Sequence, residues 1–137
     1  MWAARRDLLD GHPFYDAAIV GGGDVLMSGA AFGCWAEAMA RHQMNPRQCR
    51  HYRAWAEPFF DSVEASVSYV DCPVYHLWHG AFSDRGYQER HEALRRFDFD
   101  PYEDLAGAPD GPWRWNSAKP GLHQYLKDFF AARKEDG

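Results

Sequence analysis

At residues 74–80 the sequence reads VYHLWHG, an apolar run that ends in two histidines and a glycine. Imidazole is the commonest side-chain ligand of transition metals in proteins. A polar loop follows the glycine and carries Asp84, Arg85 and Arg90. Guanidinium groups bind phosphate or carboxylate through two parallel hydrogen bonds. The combination indicates a site for a metal ion and a phosphorylated ligand.

The two histidines, His76 and His79, are three residues apart. On a strand their side chains face opposite sides of the sheet, so both bind one ion only if the chain turns between them. One histidine completed by carboxylates from elsewhere is the easier geometry. The alternative is that both belong to an ordinary hydrogen-bonded network in a core or a loop.

Length and composition favour one globular domain over residues 1–137, because 46% of the residues are hydrophobic and 26% are charged. The net charge of −5 argues against a nucleic-acid partner bound through a broad basic face. No apolar run approaches the roughly 20 residues that span a bilayer. The three cysteines are odd in number and widely spaced. They fit reduced thiols in a cytoplasmic protein.

The periodicity of apolar residues predicts a helix-rich α/β fold with few strands. Capping residues and breakers set the ends of its elements. Predicted helices cover residues 2–10, 25–41, 46–65, 86–97 and the stretch from Lys119 onward. Predicted strands or extended pieces cover residues 66–70, 74–78 and 113–115, and a loop covers residues 104–112.

A run of three glycines, Gly21 to Gly23, precedes Asp24. Glycine allows backbone angles and close approaches that a Cβ forbids, and an aspartate in this place is expected to cap the next helix. The spacing matches neither a Walker loop nor a dinucleotide fingerprint. The simplest alternative to a binding role is a tight turn with a helix cap.

A second acidic motif, Asp98-Phe99-Asp100, has the D-x-D form that holds Mn²⁺ or Mg²⁺ on an extended chain. Pro101 and the preceding helical pattern favour a helix stop instead, because the residue before a proline avoids the helical region. No G-x-S-x-G elbow is present and no cysteine neighbours a histidine base. Nucleophilic hydrolysis therefore has no support in the sequence.

Four segments in order resemble the C-terminal, acceptor-side half of GT-A-fold glycosyltransferases, of the nucleotide-diphospho-sugar transferase superfamily. They are WAARR at 2–6, FYD at 14–16, GGGD at 21–24 and YHLWHG at 75–80. In that superfamily a "G-x-x-W-A" segment leads to a helix and then to an "F-x-D … G-G-x-D/E" turn at the acceptor site. A later strand ends in a histidine that completes the metal site. The resemblance covers about residues 2–90.

The resemblance implies an inverting enzyme that transfers a sugar from a nucleotide-sugar donor to an acceptor hydroxyl. Asp24 matches the general base, and Gly22 and Gly23 form the turn at the acceptor site. His76 matches the metal-binding histidine best and His79 second. The metal implied is Mn²⁺ or Mg²⁺, which bridges the donor diphosphate.

The resemblance also implies residues that bind the substrates. Arg85, Tyr87 and Arg90 would lie in the loop that closes over the donor diphosphate. Trp2 and Trp78 would form walls for sugar rings. The partners implied are therefore a nucleotide sugar and a carbohydrate acceptor.

The nucleotide-binding half of the superfamily has no counterpart in this sequence, so the fold expected is a partial GT-A-like domain. Activity would then need a longer chain or a partner chain. One alternative is a non-catalytic module that binds a carbohydrate or a protein, with homo-oligomers formed through an uncovered strand edge. A further alternative is a small metal-dependent hydrolase that uses His76 and His79.

Overall fold

The computed structural model describes residues 3–64, 66–75, 85–87, 89–107 and 111–133. Within these ranges the chain forms seven helices and one two-stranded sheet, which confirms a helix-rich fold with few strands. The residues group into two compact units, Met1–Ser68 and Tyr69–Gly137. The prediction of one domain over residues 1–137, and its GT-A-like character, stay predictions.

The first unit holds four helices, α1 (Arg6–Gly11), α2 (Gly23–Ala31), α3 (Trp35–Arg41) and α4 (Pro46–Val63). The start of α4 follows directly from its sequence. Asn45 accepts hydrogen bonds from the N–H groups of Arg47 and Gln48 at 2.9 and 2.8 Å, and the Gln48 side chain accepts one from Asn45 N–H. This is a capping box, which satisfies the exposed donors of the first turn. The predicted helix from residue 46 is confirmed.

The single helix predicted over residues 25–41 is wrong, because the chain breaks between α2 and α3. Gly33 has φ 69°, a left-handed conformation that ends an α-helix and that only glycine adopts at little cost. The Phe60 ring packs 3.1 Å from where a Cβ on Gly33 would lie. The break therefore folds α3 back so that both helices pack on α4.

The core of the first unit is where α2, α3 and α4 meet. The helices approach closely at Gly29, where an added Cβ would lie 2.6 Å from the Ala38 Cβ. The small residues of α2 thus let another helix come close. The Tyr52 hydroxyl donates to the Leu26 carbonyl at 2.7 Å. Burial raises the pKa of Tyr52 to about 12, so this hydroxyl stays protonated and keeps its bond near neutral pH.

Two further predictions in this part of the chain need correction. Helix α1 begins at Arg6 rather than at residue 2, since Arg5 is its extended N-cap residue with ψ 143°. Residues 66–70 form no strand. Their alternating pattern has no core to face, because Tyr69 and Val70 are 87% and 83% exposed. In the strand predicted at 74–78, Val74 and Tyr75 are also not in a strand, and residues 76–78 lie outside the described residues.

The second unit holds α5 (Glu89–Arg96), α6 (Pro101–Asp104), β1 (Leu105–Ala106), β2 (Arg114–Trp115) and α7 (Pro120–Ala132). The two strands pair antiparallel, with Leu105 opposite Trp115. The extended piece at 113–115 and the last helix are confirmed. The loop predicted over 104–112 is wrong at its start, because α6 ends at Asp104 and β1 follows at once. None of the described helices is both long enough and apolar enough to cross a membrane.

The Asp98-Phe99-Asp100 segment is a helix stop followed by a helix start. Asp98 has φ 49° and is exposed, whereas Asp100 is buried. The Asp100 carboxylate accepts the Tyr102 N–H at 3.0 Å and caps α6. The two carboxylates therefore differ in environment and role, which confirms the helix-stop interpretation over a metal-binding D-x-D.

Candidate functional site

The glycine turn precedes α2 and needs glycine at two positions. Gly21 and Gly22 have φ 89° and 84°, in the left-handed region that side chains with a Cβ rarely adopt. Gly21 N–H donates to the Ala18 carbonyl at 2.8 Å, and Val25 N–H donates to the Gly22 carbonyl at 3.1 Å. The turn delivers the chain into α2 with Gly22 as its N-cap residue.

Asp24 does not cap α2, which corrects the prediction from the sequence. The helix already begins at Gly23, so Asp24 lies inside its first turn, and no side chain caps this end. The Asp24 side chain is exposed. No hydrogen bond or ion pair reaches its carboxylate from the described residues. The helix N-terminus stabilises this negative charge, and the carboxylate oxygens are open to a ligand.

The second and third glycines of the turn differ in how much space surrounds the place of a Cβ. A Cβ on Gly22 would overlap the Nε2 atom of His42, whereas a Cβ on Gly23 would meet nothing within 4 Å. Gly22 is thus required by the packing beneath it. Gly23 borders open space next to the Asp24 carboxylate, and a ligand can approach the backbone there.

His42 is the residue at this turn that the sequence did not identify. It follows α3 and is buried, with 5% of its surface exposed. Its Nδ1 lies 3.0 Å from the Ala38 carbonyl. The sequence offered no metal-ligand spacing for it, and its contact with Gly22 joins residues that are far apart along the chain. No local pattern signals such a contact.

The three residues predicted to bind the donor diphosphate lie together in the second unit. Arg85 Nη1 donates to the Tyr87 hydroxyl at 2.8 Å. The Arg90 guanidinium lies over the Tyr87 ring, 4.5 Å from its centroid. A cation held over an aromatic face is attracted by the negative charge of that face. Arg90 lies in α5 rather than in a loop, and the role of the three residues at a donor diphosphate stays a prediction.

The two arginines of this cluster are buried, so the cluster is not an open basic surface. Arg85 and Arg90 are each only 7% exposed, whereas Tyr87 is 37% exposed. Arg90 Nε donates to His91 Nε2 at 3.3 Å, so part of its donor capacity is used inside the protein. A phosphate group would reach this cluster first at the Tyr87 ring and hydroxyl.

The predicted metal ligands His76 and His79, and the predicted sugar walls Trp2 and Trp78, lie outside the described residues. Within the described ranges, no three histidine, cysteine or acidic side chains come close enough to hold a metal ion. The described residues alone thus do not form a metal centre. The metal site stays a prediction that depends on His76 and His79.

A shallow cavity of about 520 Å³ lies along α4. Its lining includes Cys49, Arg53 and Glu57. Arg53 and Glu57 bind each other across one helical turn at 2.6 Å. Burial raises the pKa of the Cys49 thiol, which keeps it protonated and weakly nucleophilic. This cavity offers no reactive group.

Comparisons with models of protein families, with curated proteins and with solved structures find no match for this chain.

Proposed function

We propose that the chain supplies the acceptor side of an inverting glycosyltransferase that uses a nucleotide-sugar donor. Asp24 is the general base, which takes the proton of the acceptor hydroxyl as its oxygen attacks the donor sugar carbon. The observation that supports this role is the exposed Asp24 carboxylate, which follows a glycine turn and is bound by no described side chain.

The chemistry of a general base requires such an arrangement. A base must come within hydrogen-bond distance of the hydroxyl that it deprotonates, about 2.6–3.2 Å. A carboxylate that capped its own helix would already be occupied, and Asp24 is not. Gly23 leaves room for a ligand beside it, because beyond its chain neighbours and its own helix backbone no described residue lies within 4 Å of the place of its missing Cβ.

The donor side of the proposal uses residues of the second unit and a nucleotide-binding half from a longer chain or a partner chain. Arg85, Tyr87 and Arg90 would hold the diphosphate, and Trp2 and Trp78 would line the sugar subsites. His76 and His79 are the proposed ligands of a Mn²⁺ or Mg²⁺ ion, which would supply charge stabilisation at the diphosphate.

The test is nucleoside diphosphate release from UDP-sugars and GDP-sugars by the longer chain or the complex that contains the nucleotide-binding half, with Mn²⁺ and a panel of methyl glycosides as acceptors. Asp24→Asn keeps the shape of the side chain and removes the base, so release should fall by about 10²–10⁴-fold. The control is Asp61→Asn, which neutralises another exposed carboxylate of the first unit and should leave the rate unchanged. Equal rates for wild type and Asp24→Asn would contradict the base role.

A second candidate is a non-catalytic module that binds a carbohydrate, a protein or a second copy of this chain. The exposed apolar segment, defined as residues 69–75, favours it. Its apolar side chains are 63–88% exposed: Tyr69, Val70, Val74 and Tyr75. Contiguous exposed apolar residues often mark an interaction surface.

The two candidates differ in what the chain does once a longer chain or a partner chain supplies the nucleotide-binding half. No nucleotide release from that completed protein, together with self-association that Tyr69→Ser and Tyr75→Ser abolish in sedimentation experiments, would favour the binding module. Nucleotide release that persists in this double variant would favour the transferase.

A further inference from the structure

We infer that His42 is a positioning residue, which holds the glycine turn in place and thereby fixes the position of the backbone from which the Asp24 side chain extends. The consequence for catalysis rests on the proposed function. The positioning itself rests on contacts within the first unit and can be tested without any substrate.

The imidazole of His42 has a defined orientation. Its Nδ1 lies 3.0 Å from the Ala38 carbonyl. A carbonyl oxygen only accepts hydrogen bonds, so Nδ1 carries the proton. In the neutral ring Nε2 is then the acceptor nitrogen. His42 is buried, so the ring has little room for another orientation.

The Nε2 edge of this ring faces the glycine turn. A Cβ on Gly22 would overlap Nε2 and would lie 3.3 Å from both Cδ2 and Cε1. The ring therefore packs edge-on against the Cα of Gly22. No side chain caps the N-terminus of α2, so the ring supports the turn from beneath where a cap would normally hold it.

The contacts of His42 and Ala38 connect the end of α3 to α2 at two places. Ala38 accepts the His42 Nδ1–H bond through its carbonyl, and its Cβ packs against Gly29 of α2. Gly29 and Gly22 belong to the same helix and its N-cap. The Nδ1 side of the ring is thus connected to Gly29 of α2 through Ala38, and the Nε2 side packs against Gly22. Asp24 is two residues beyond Gly22 and moves with it.

The experiment compares amide NMR spectra of the full chain for wild type, His42→Leu, His42→Gln and His51→Leu. We expect His42→Leu, whose side chain ends before the place of Nε2, to shift the amide signals of Gly21, Gly22 and Gly23. We expect His42→Gln, whose side-chain amide reaches the place of Nε2 and can pack against Gly22, to restore most of each shift. His51→Leu removes another histidine of the same unit, one that bonds Tyr15, and should leave these signals in place.

Two results would overturn the inference. One is a folded His42→Leu protein whose turn signals match those of the wild type. The other is measured on the wild-type protein and needs no variant to fold: nitrogen chemical shifts that place the proton of neutral His42 on Nε2 instead of Nδ1. If the turn signals move but Asp24→Asn leaves sugar transfer unchanged, the positioning stands and the proposed function fails.

Discussion

Asp24 and Asp104 are both aspartates of helical turns, yet their carboxylates have opposite environments. The Asp24 carboxylate is exposed and receives no hydrogen bond or ion pair from the described residues. Asp104 is fully buried. Its Oδ2 accepts the Asp100 N–H and the Lys119 ammonium, each at 2.8 Å. A carboxylate that is buried and hydrogen-bonded inside the protein contributes to stability, and an exposed carboxylate without such bonds can bind a ligand.

The two aspartates also differ in the number of contacts that they make with other parts of the protein. Burial alone would raise the pKa of Asp104, but hydrogen bonds from Lys119 and Asp100, together with the Lys119 charge, lower it by more. The Asn116 N–H also donates to the Asp104 carbonyl at 2.9 Å. Asp104 therefore joins α6, the segment after β2 and the start of α7, whereas the Asp24 carboxylate contacts no other described element by a hydrogen bond or an ion pair.

The largest effect on stability should come from removing the partner of Asp104. Lys119→Met leaves a buried carboxylate without its ammonium group, which costs about 3 kcal/mol of unfolding free energy, at the low end for broken buried pairs. The matched control is Arg53→Met, which breaks the exposed pair with Glu57 and should cost less than about 1 kcal/mol. Urea unfolding measures both. Equal costs would remove the distinction between a buried and an exposed ion pair.

The second effect concerns the turn that presents Asp24. Gly22→Ala forces a Cβ into the left-handed region and onto His42, which should cost at least about 1–2 kcal/mol. Gly23→Ala meets open space and should stabilise the protein by about 0.5 kcal/mol. Thermal unfolding separates the two variants by sign. A destabilising Gly23→Ala would show that the space beside Asp24 is not open.

The smallest effect is the pH dependence of stability. The pKa of Asp104 in the folded protein lies below its ordinary value of 3.8, so the unfolded state binds the proton more readily. Its contribution is complete above that value and is lost as the pH falls through the folded pKa. Urea unfolding between pH 5 and pH 2 should show a shallower decline for Asp104→Asn than for wild type. Parallel curves would contradict this assignment.

The features that the sequence predicted correctly are local. The start of α4 depends on Asn45, Pro46 and Gln48, which are neighbours along the chain, and the helix stop at Asp98 depends on the following Pro101. Arg85, Tyr87 and Arg90 lie together because they fall within five residues of each other, while their role at a diphosphate stays a prediction. In each case the physical cause lies within one or two turns of the chain.

The features that the sequence did not predict depend on distant contacts. The break at Gly33 is fixed by Phe60 of α4, and the turn at Gly22 is fixed by His42. The strand expected at residues 66–70 is absent because its alternating side chains have no core to face. The ion pair between Asp104 and Lys119 likewise joins two separate elements. These outcomes are set by packing, which a local pattern does not contain.

The most direct test of the account is an NMR titration of the wild-type chain with methyl glycosides of glucose, galactose, mannose and N-acetylglucosamine. At least one glycoside should shift the amide signals of Gly22, Gly23 and Asp24, and Asp24→Asn should weaken or abolish these shifts. Asp61→Asn should preserve them. If no glycoside shifts the signals of the glycine turn, or if Asp24→Asn binds as the wild type does, the acceptor site is not at Asp24.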